Sequence, residues 1–180
     1  MTFTETERKY IDSASMSPTG GGPLTEGHIS YSSGTAAQLL SGLATNFYKP
    51  QDRRIARLML SKAEELAKAS GNVLDLHFVY AGMVKTFYAD RDTELGALDF
   101  AIAACEKQIA LAPEAAKAWK SEYPKEPLPA HTGYTQLAII REKQKNLREA
   151  ISLSRLATEQ GWAGEWEQRI ARNEKRLTKP

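Results

Sequence analysis

Leu40-Ser41-Gly42-Leu43-Ala44-Thr45-Asn46-Phe47 and Tyr134-Thr135-Gln136-Leu137-Ala138-Ile139-Ile140-Arg141 are the two stretches whose reading decides the fold. Each carries large and apolar residues three and four apart, the spacing of one helix face. In both, another alanine follows twelve residues after the small one, Ala56 after Ala44 and Ala150 after Ala138. Seven residues later comes a further alanine, Ala63 and Ala157. Small residues midway along two helices let their axes approach closely, while the large neighbours fill the wedge to the next pair. The spacing predicts helical hairpins repeated along the chain.

Working outward, the same period extends through the remaining segments. Apolar residues at helical spacing predict helices over 36–48, 51–69, 73–89, 94–111, 114–121, 132–143, 146–160 and 164–177. Gly71 stands where a left-handed C-terminal residue belongs, Asn72 can cap the next helix, and Asp92 or Thr93 the one after. Pro124, Pro127 and Pro129 forbid regular structure between 123 and 129. No alternating strand pattern occurs, so the chain reads as all-α.

A middle unit fits with a modification. Phe78-x-x-Ala81-Gly82 supplies its first helix, and Ala101-x-x-x-Cys105-x-x-Gln108 with Leu111-x-Pro113 its second. Nineteen residues separate Gly82 from Ala101 where the other units have twelve, which puts seven extra residues near 89–95. The three units, spanning about 37–164, resemble the tetratricopeptide repeat (TPR) family. Arg141 and Lys85 stand where that family usually has an aromatic, and Gln108 replaces a small residue.

The resemblance implies a solenoid whose first helices line a concave groove for a partner peptide or protein. Its groove-facing offsets fall on Gln38, Ser41, Thr45 and Lys49, then Val79, Tyr80, Met83 and Phe87, then Thr132, Thr135, Gln136, Ile139 and Lys143. Tyr, Met and Phe would form an adaptable apolar floor. The paired Lys and Asn with which some members hold a C-terminal carboxylate are missing at these offsets, where Ser41, Thr45, Val79, Met83, Thr135 and Ile139 stand. The helix 164–177 reads as the cap an open array needs, with Trp162 and Trp166 packed on the third unit and Arg169, Arg172, Lys175 and Arg176 facing water. The first pair has no such cap, leaving monomer or homodimer open.

Residues 1–34 differ from the 35–180 domain. Ser13 to Gly34 is dominated by Ser, Thr, Gly and Pro, too little apolar surface to offset a backbone ordering cost of about 1–2 kcal/mol per residue. The expectation is a flexible segment, long enough to lie back across the groove. Gly20-Gly21-Gly22 is followed by Pro23-Leu24-Thr25 and not by the Gly-Lys-Ser/Thr of a phosphate loop.

Composition narrows the function. Of 180 residues, 24 are Lys or Arg and 22 Asp or Glu, so the net charge is +2. That balance argues against a protein built to coat nucleic acid, although the basic residues of the last helix keep an RNA-binding or regulatory reading open. One cysteine excludes an internal disulfide framework. No apolar run is long enough to span a membrane, and Met1–Tyr10 has no apolar signal core, so the expectation is a soluble, cytoplasmic protein.

Candidate chemistry is sparse. His28, His77 and His131 are dispersed, with Ala81 at the fourth residue after His77 where a second metal ligand would stand. Cys105 falls at a packing position. Asp90-Arg91-Asp92-Thr93-Glu94 lacks the alternation and glycine of a calcium loop and reads as a helix-capping turn. Glu64-Glu65 and Glu165-x-Glu167 lie on helix surfaces with no apolar cleft to tune them. The sequence therefore points to a non-catalytic interaction module without cofactor or metal.

Overall fold

The computed structural model describes residues 2–14, 24–27 and 34–178. Among them it is all-helical: α1 (Glu5–Ala14), α2 (Ala36–Ala44), α3 (Arg53–Ser70), α4 (Val73–Ala89), α5 (Ala97–Ala110), α6 (Ala112–Glu122), α7 (Thr132–Lys143), α8 (Leu147–Gln160) and α9 (Trp166–Leu177). The one β-feature among the described residues is a lone bridge between Ala130 and Ala163. No helix among the described residues is long and apolar enough to cross a membrane.

Local chemistry sets most helix ends. Thr35 and Gln38 form a reciprocal capping box at α2. Gly71, at φ 67°, closes α3 in the left-handed region, and the Asn72 side chain accepts from the amides of Leu74 and Asp75 to open α4. Asn146 caps α8, with its amide also donating to Glu149. Two ends depart from expectation. α5 starts at Ala97 after Gly96 at φ 80°, because the amides of Thr93 and Glu94 turn back onto the Asp90 carbonyl instead of receiving a cap. α2 stops at Ala44, where the Thr45 hydroxyl takes the Gly42 carbonyl and the chain turns to bury Phe47 completely.

The helices pack in chain order: α2 on α3, α3 on α4, α4 on α5, α5 on α7, α7 on α8 and α8 on α9. α2 also touches α4, and α4 touches α7. These three run parallel. The Thr35 hydroxyl donates to Asp75 Oδ2 (2.6 Å) and His77 meets His131 at their N-terminal ends, while Lys143 Nζ donates to the Tyr88 hydroxyl (2.9 Å) at the C-terminal ends of α4 and α7. α6 lies against α4, with the Trp119 indole donating to the Pro127 carbonyl and the Phe78 ring 6.2 Å from Trp119.

Ala56, Ala63, Ala101, Ala150 and Ala157 are wholly buried, so the alanine offsets mark core positions. In the middle unit the register differs from the one expected. Burial in α4 follows Tyr80, Met83 and Val84, matching Tyr134, Leu137 and Ala138 in α7. The unit is therefore Tyr80-x-x-Met83-Val84-x-x-Phe87, two residues further along, and seventeen residues rather than nineteen lead to Ala101. Phe87 then falls where α2 has Phe47.

Where a flexible segment is expected over 1–34, α1 is a docked helix. Ile11 is buried, the Tyr10 ring meets Phe47 edge-on at 5.8 Å, and the Tyr10 hydroxyl donates to Asp52. Arg54 also pairs with Glu7. One buried apolar residue per helix leaves no periodic signature, so only these tertiary contacts define it. Gly20-Gly21-Gly22, His28 and most of 13–34 lie outside the described residues.

Candidate interaction face

Parallel α2, α4 and α7 present one face away from their partner helices. On α2 it carries exposed Gln38 and Thr45 with half-buried Ser41, and exposed Lys49 lies just beyond. On α7 it carries half-buried Thr132, Thr135, Gln136 and Ile139, and exposed Lys143. The first and third groups of expected groove residues therefore reach this face.

The second group does not. Val79, Tyr80 and Met83 are buried, and the two-residue register shift is the reason. The Tyr80 hydroxyl donates to Glu64 (3.0 Å); burial first, then the Glu64 charge, pushes its pKa up to about 12. Phe87 is half-buried, with the Arg57 guanidinium 4.7 Å above its ring and Phe100 beside it at 5.2 Å. In their place α4 exposes Phe78, Lys85 and Ala89, with Ala81 half-buried. Helical periodicity alone satisfies both frames. The signal that separates them is the pairing of His77 and Tyr80 with His131 and Tyr134 at one offset.

Charge on the face is one-sided. The Lys49 and Lys85 side chains have no ion pair or hydrogen bond among the described residues, and the Lys143 ammonium contacts only the Tyr88 hydroxyl and ring. The carboxylates of the three helices are engaged elsewhere. Asp75 is buried beneath Thr35. Burial would raise the pKa of Glu142, but the Asn173 hydrogen bond and the charges of Arg169 and Arg172 hold it below its ordinary value. At the C-terminal ends of α4 and α7 a hollow of about 220 Å³ is lined by Tyr88, Arg91, Lys143 and neighbours. The Arg91 guanidinium lies 4.3 Å over the Tyr88 ring and pairs with exposed Asp92.

The basic residues of α9 are less free than expected. Arg169 is half-buried and donates to Glu142 (2.9 Å), so it ties α9 to α7 instead of facing water. Arg172 approaches the same carboxylate at 3.5 Å, and Arg176 donates to Asn173 (3.1 Å). Trp162 and Trp166 are buried as the cap reading expects.

Beneath the face, α4, α5, α7 and the α8–α9 turn meet in a buried polar cluster. The His77 ring stacks on Trp162 (5.2 Å, 7°), and His131 stands edge-on to both. The Gln108 amide nitrogen donates to the His77 carbonyl (3.0 Å) and faces His77 Nε2 (3.2 Å), while its oxygen accepts from the Gly133 amide (2.6 Å). His131 Nδ1 accepts from the Tyr134 amide and so caps α7. His77 Nδ1 and His131 Nε2 have no hydrogen-bond partner. Burial drives both pKa values down, to about 4 for His77 and about 3 for His131.

Elsewhere, the acidic turn after α4 is structural: Asp90 is buried and pairs with both Arg53 and Arg57, and Glu94 with Arg57. Burial pushes the Cys105 thiol up to about 12, away from reactive thiolate. Among the described residues no group of three or more His, Cys, Asp or Glu is arranged to hold a metal ion. No protein-family model, curated protein or solved structure matches this chain.

Proposed function

We propose that the chain is a TPR-like solenoid that serves as a protein–protein interaction module in the cytoplasm, holding an extended partner segment along the α2–α4–α7 face without covalent chemistry. The observation that carries this reading is the shared register of the three units. Leu40/Leu43/Ala44, Tyr80/Met83/Val84 and Tyr134/Leu137/Ala138 are followed, twelve, seventeen and twelve residues on, by wholly buried alanines of the second helix, Ala56, Ala101 and Ala150. Three parallel helices keep matching offsets open, so a segment crossing them meets Gln38, Ser41 and Thr45 on α2, Phe78 and Lys85 on α4, and Thr132 and Thr135 on α7. Thr135 suits a hydrogen bond to an extended backbone, and Ile139 adds apolar contact. The RNA-binding alternative has less support, since Arg169 is committed to Glu142.

Selection from a random dodecapeptide display library tests the proposal. Enriched peptides should bind the wild type and be blocked by the bulky substitutions Gln38→Trp and Thr135→Trp. Ser152→Trp, on the exposed side of α8, should leave binding unchanged. Failure to enrich any peptide, or binding indifferent to the face variants, would overturn it.

A further inference from the structure

We infer that the segment this face receives is acidic, with its carboxylates gathered over the C-terminal ends of α2, α4 and α7; the inference rests on the interaction reading above. The three helices run parallel, tied at one end by Thr35–Asp75 and His77–His131 and at the other by Lys143–Tyr88. Lys85 and Lys143 therefore fall toward the same end of α4 and α7, with Lys49 five residues past the C-terminal end of α2, and all three are exposed.

Helix C-termini attract cations through the helix dipole, which alone accounts for a lysine in a last turn. Two features exceed that explanation. Lys85 stands a full turn before the end of α4. The face also offers no free carboxylate to answer the three ammonium groups: Asp75 is buried, Glu142 is held by α9, and Asp92 pairs with Arg91. The Lys49 and Lys85 side chains have no partner among the described residues. Protein surfaces usually intersperse both signs. A one-signed strip beside Thr135 complements a chain that brings carboxylates together.

The probe is a fluorescein-labelled peptide of alternating Glu and Ser, compared by anisotropy with its Lys/Ser counterpart and with an oligouridine of equal charge. The Glu/Ser peptide should bind the full chain, weaken as salt rises, and weaken about tenfold further in Lys49→Gln/Lys85→Gln/Lys143→Gln. Arg172→Gln/Lys175→Gln/Arg176→Gln should leave its affinity unchanged. Equal binding of the Lys/Ser peptide, tighter lysine-dependent binding of oligouridine, or loss only in the α9 variant would each overturn the inference. Neutral or basic peptides recovered from the display library and blocked by Thr135→Trp would sink the acidic preference alone. Glu/Ser binding that ignores Gln38→Trp and Thr135→Trp would remove the face itself, and both readings with it.

Discussion

His77 and His131 meet edge to face, ring centroids 4.9 Å apart, at matching positions three residues before Tyr80 and Tyr134. The contact joins α4 to the start of α7 through groups that cannot carry charge where they stand. The nitrogens that accept hydrogen bonds, His77 Nε2 and His131 Nδ1, leave each imidazole's single proton on the nitrogen without a partner. Protonating either ring would bury an unpaired cation beside its neighbour.

Stability should therefore fall in mild acid. Above the ordinary histidine value of 6.5 both folded and unfolded chains hold neutral rings, and the stability is fully present. Below it the unfolded chain binds protons that the fold refuses until about pH 4 for His77 and about pH 3 for His131. The loss is about 1.4 kcal/mol per pH unit for each histidine. Lowering the pH from about 7 to about 5 should cost about 4 kcal/mol, measured as a shift in urea midpoint. His77→Phe, which keeps a ring against Trp162, should remove roughly half the slope; an unchanged slope would clear His77 of responsibility.

Two glycines should respond in opposite directions to the same substitution. A β-carbon on Gly133 would stand 2.9 Å from Gln108 Oε1 and 3.0 Å from the Cys105 carbonyl, which is backbone and cannot step aside. Gly133→Ala should destabilise by about 1–3 kcal/mol. A β-carbon on Gly42, exposed in the last turn of α2, meets nothing within 4 Å. Gly42→Ala should stabilise by up to about 1 kcal/mol through helix propensity and a stiffer unfolded chain. Thermal melts of the two variants on opposite sides of the wild type would bear this out.

What the sequence makes legible follows how local the cause is. Gly71, Asn72 and Asn146 act within a few residues of themselves, so the helix ends they set are readable from order alone. The α7 face is readable because Tyr134-x-x-Leu137-Ala138 admits one frame. In α4 the small pair Ala81-Gly82 imitates the alanine position, yet Gly82 is small for another reason: its missing β-carbon would lie 2.7 Å from Leu60 Cδ2 on α3. That contact is tertiary and invisible in sequence, and three of the four middle groove residues proved to be core. In α1 one buried isoleucine, Ile11, makes no periodic pattern.

Gln108 makes the sharpest case of a residue whose meaning lies outside its repeat. It stands where the other units have Ala63 and Ala157, both wholly buried. Substitution toward a repeat's usual residue commonly stabilises, so pattern alone predicts that Gln108→Ala improves the protein. The structure predicts the reverse. Gln108 is buried and satisfies the His77 carbonyl, His77 Nε2 and the Gly133 amide at once. Alanine would leave these groups buried without partners, about 1–3 kcal/mol for an unsatisfied group, and would open a cavity where the amide was. A net loss of about 2–4 kcal/mol is expected in urea denaturation at neutral pH. Because His77 Nε2 would lose its donor, the acid sensitivity should also shift, as a freed nitrogen with new space can admit water and protonate nearer its ordinary value. Gln108→Ala should thus be less stable at neutral pH and have a shallower acid slope than the wild type. A variant as stable as the wild type at neutral pH would mean that the repeat's alanine rule outweighs this cluster.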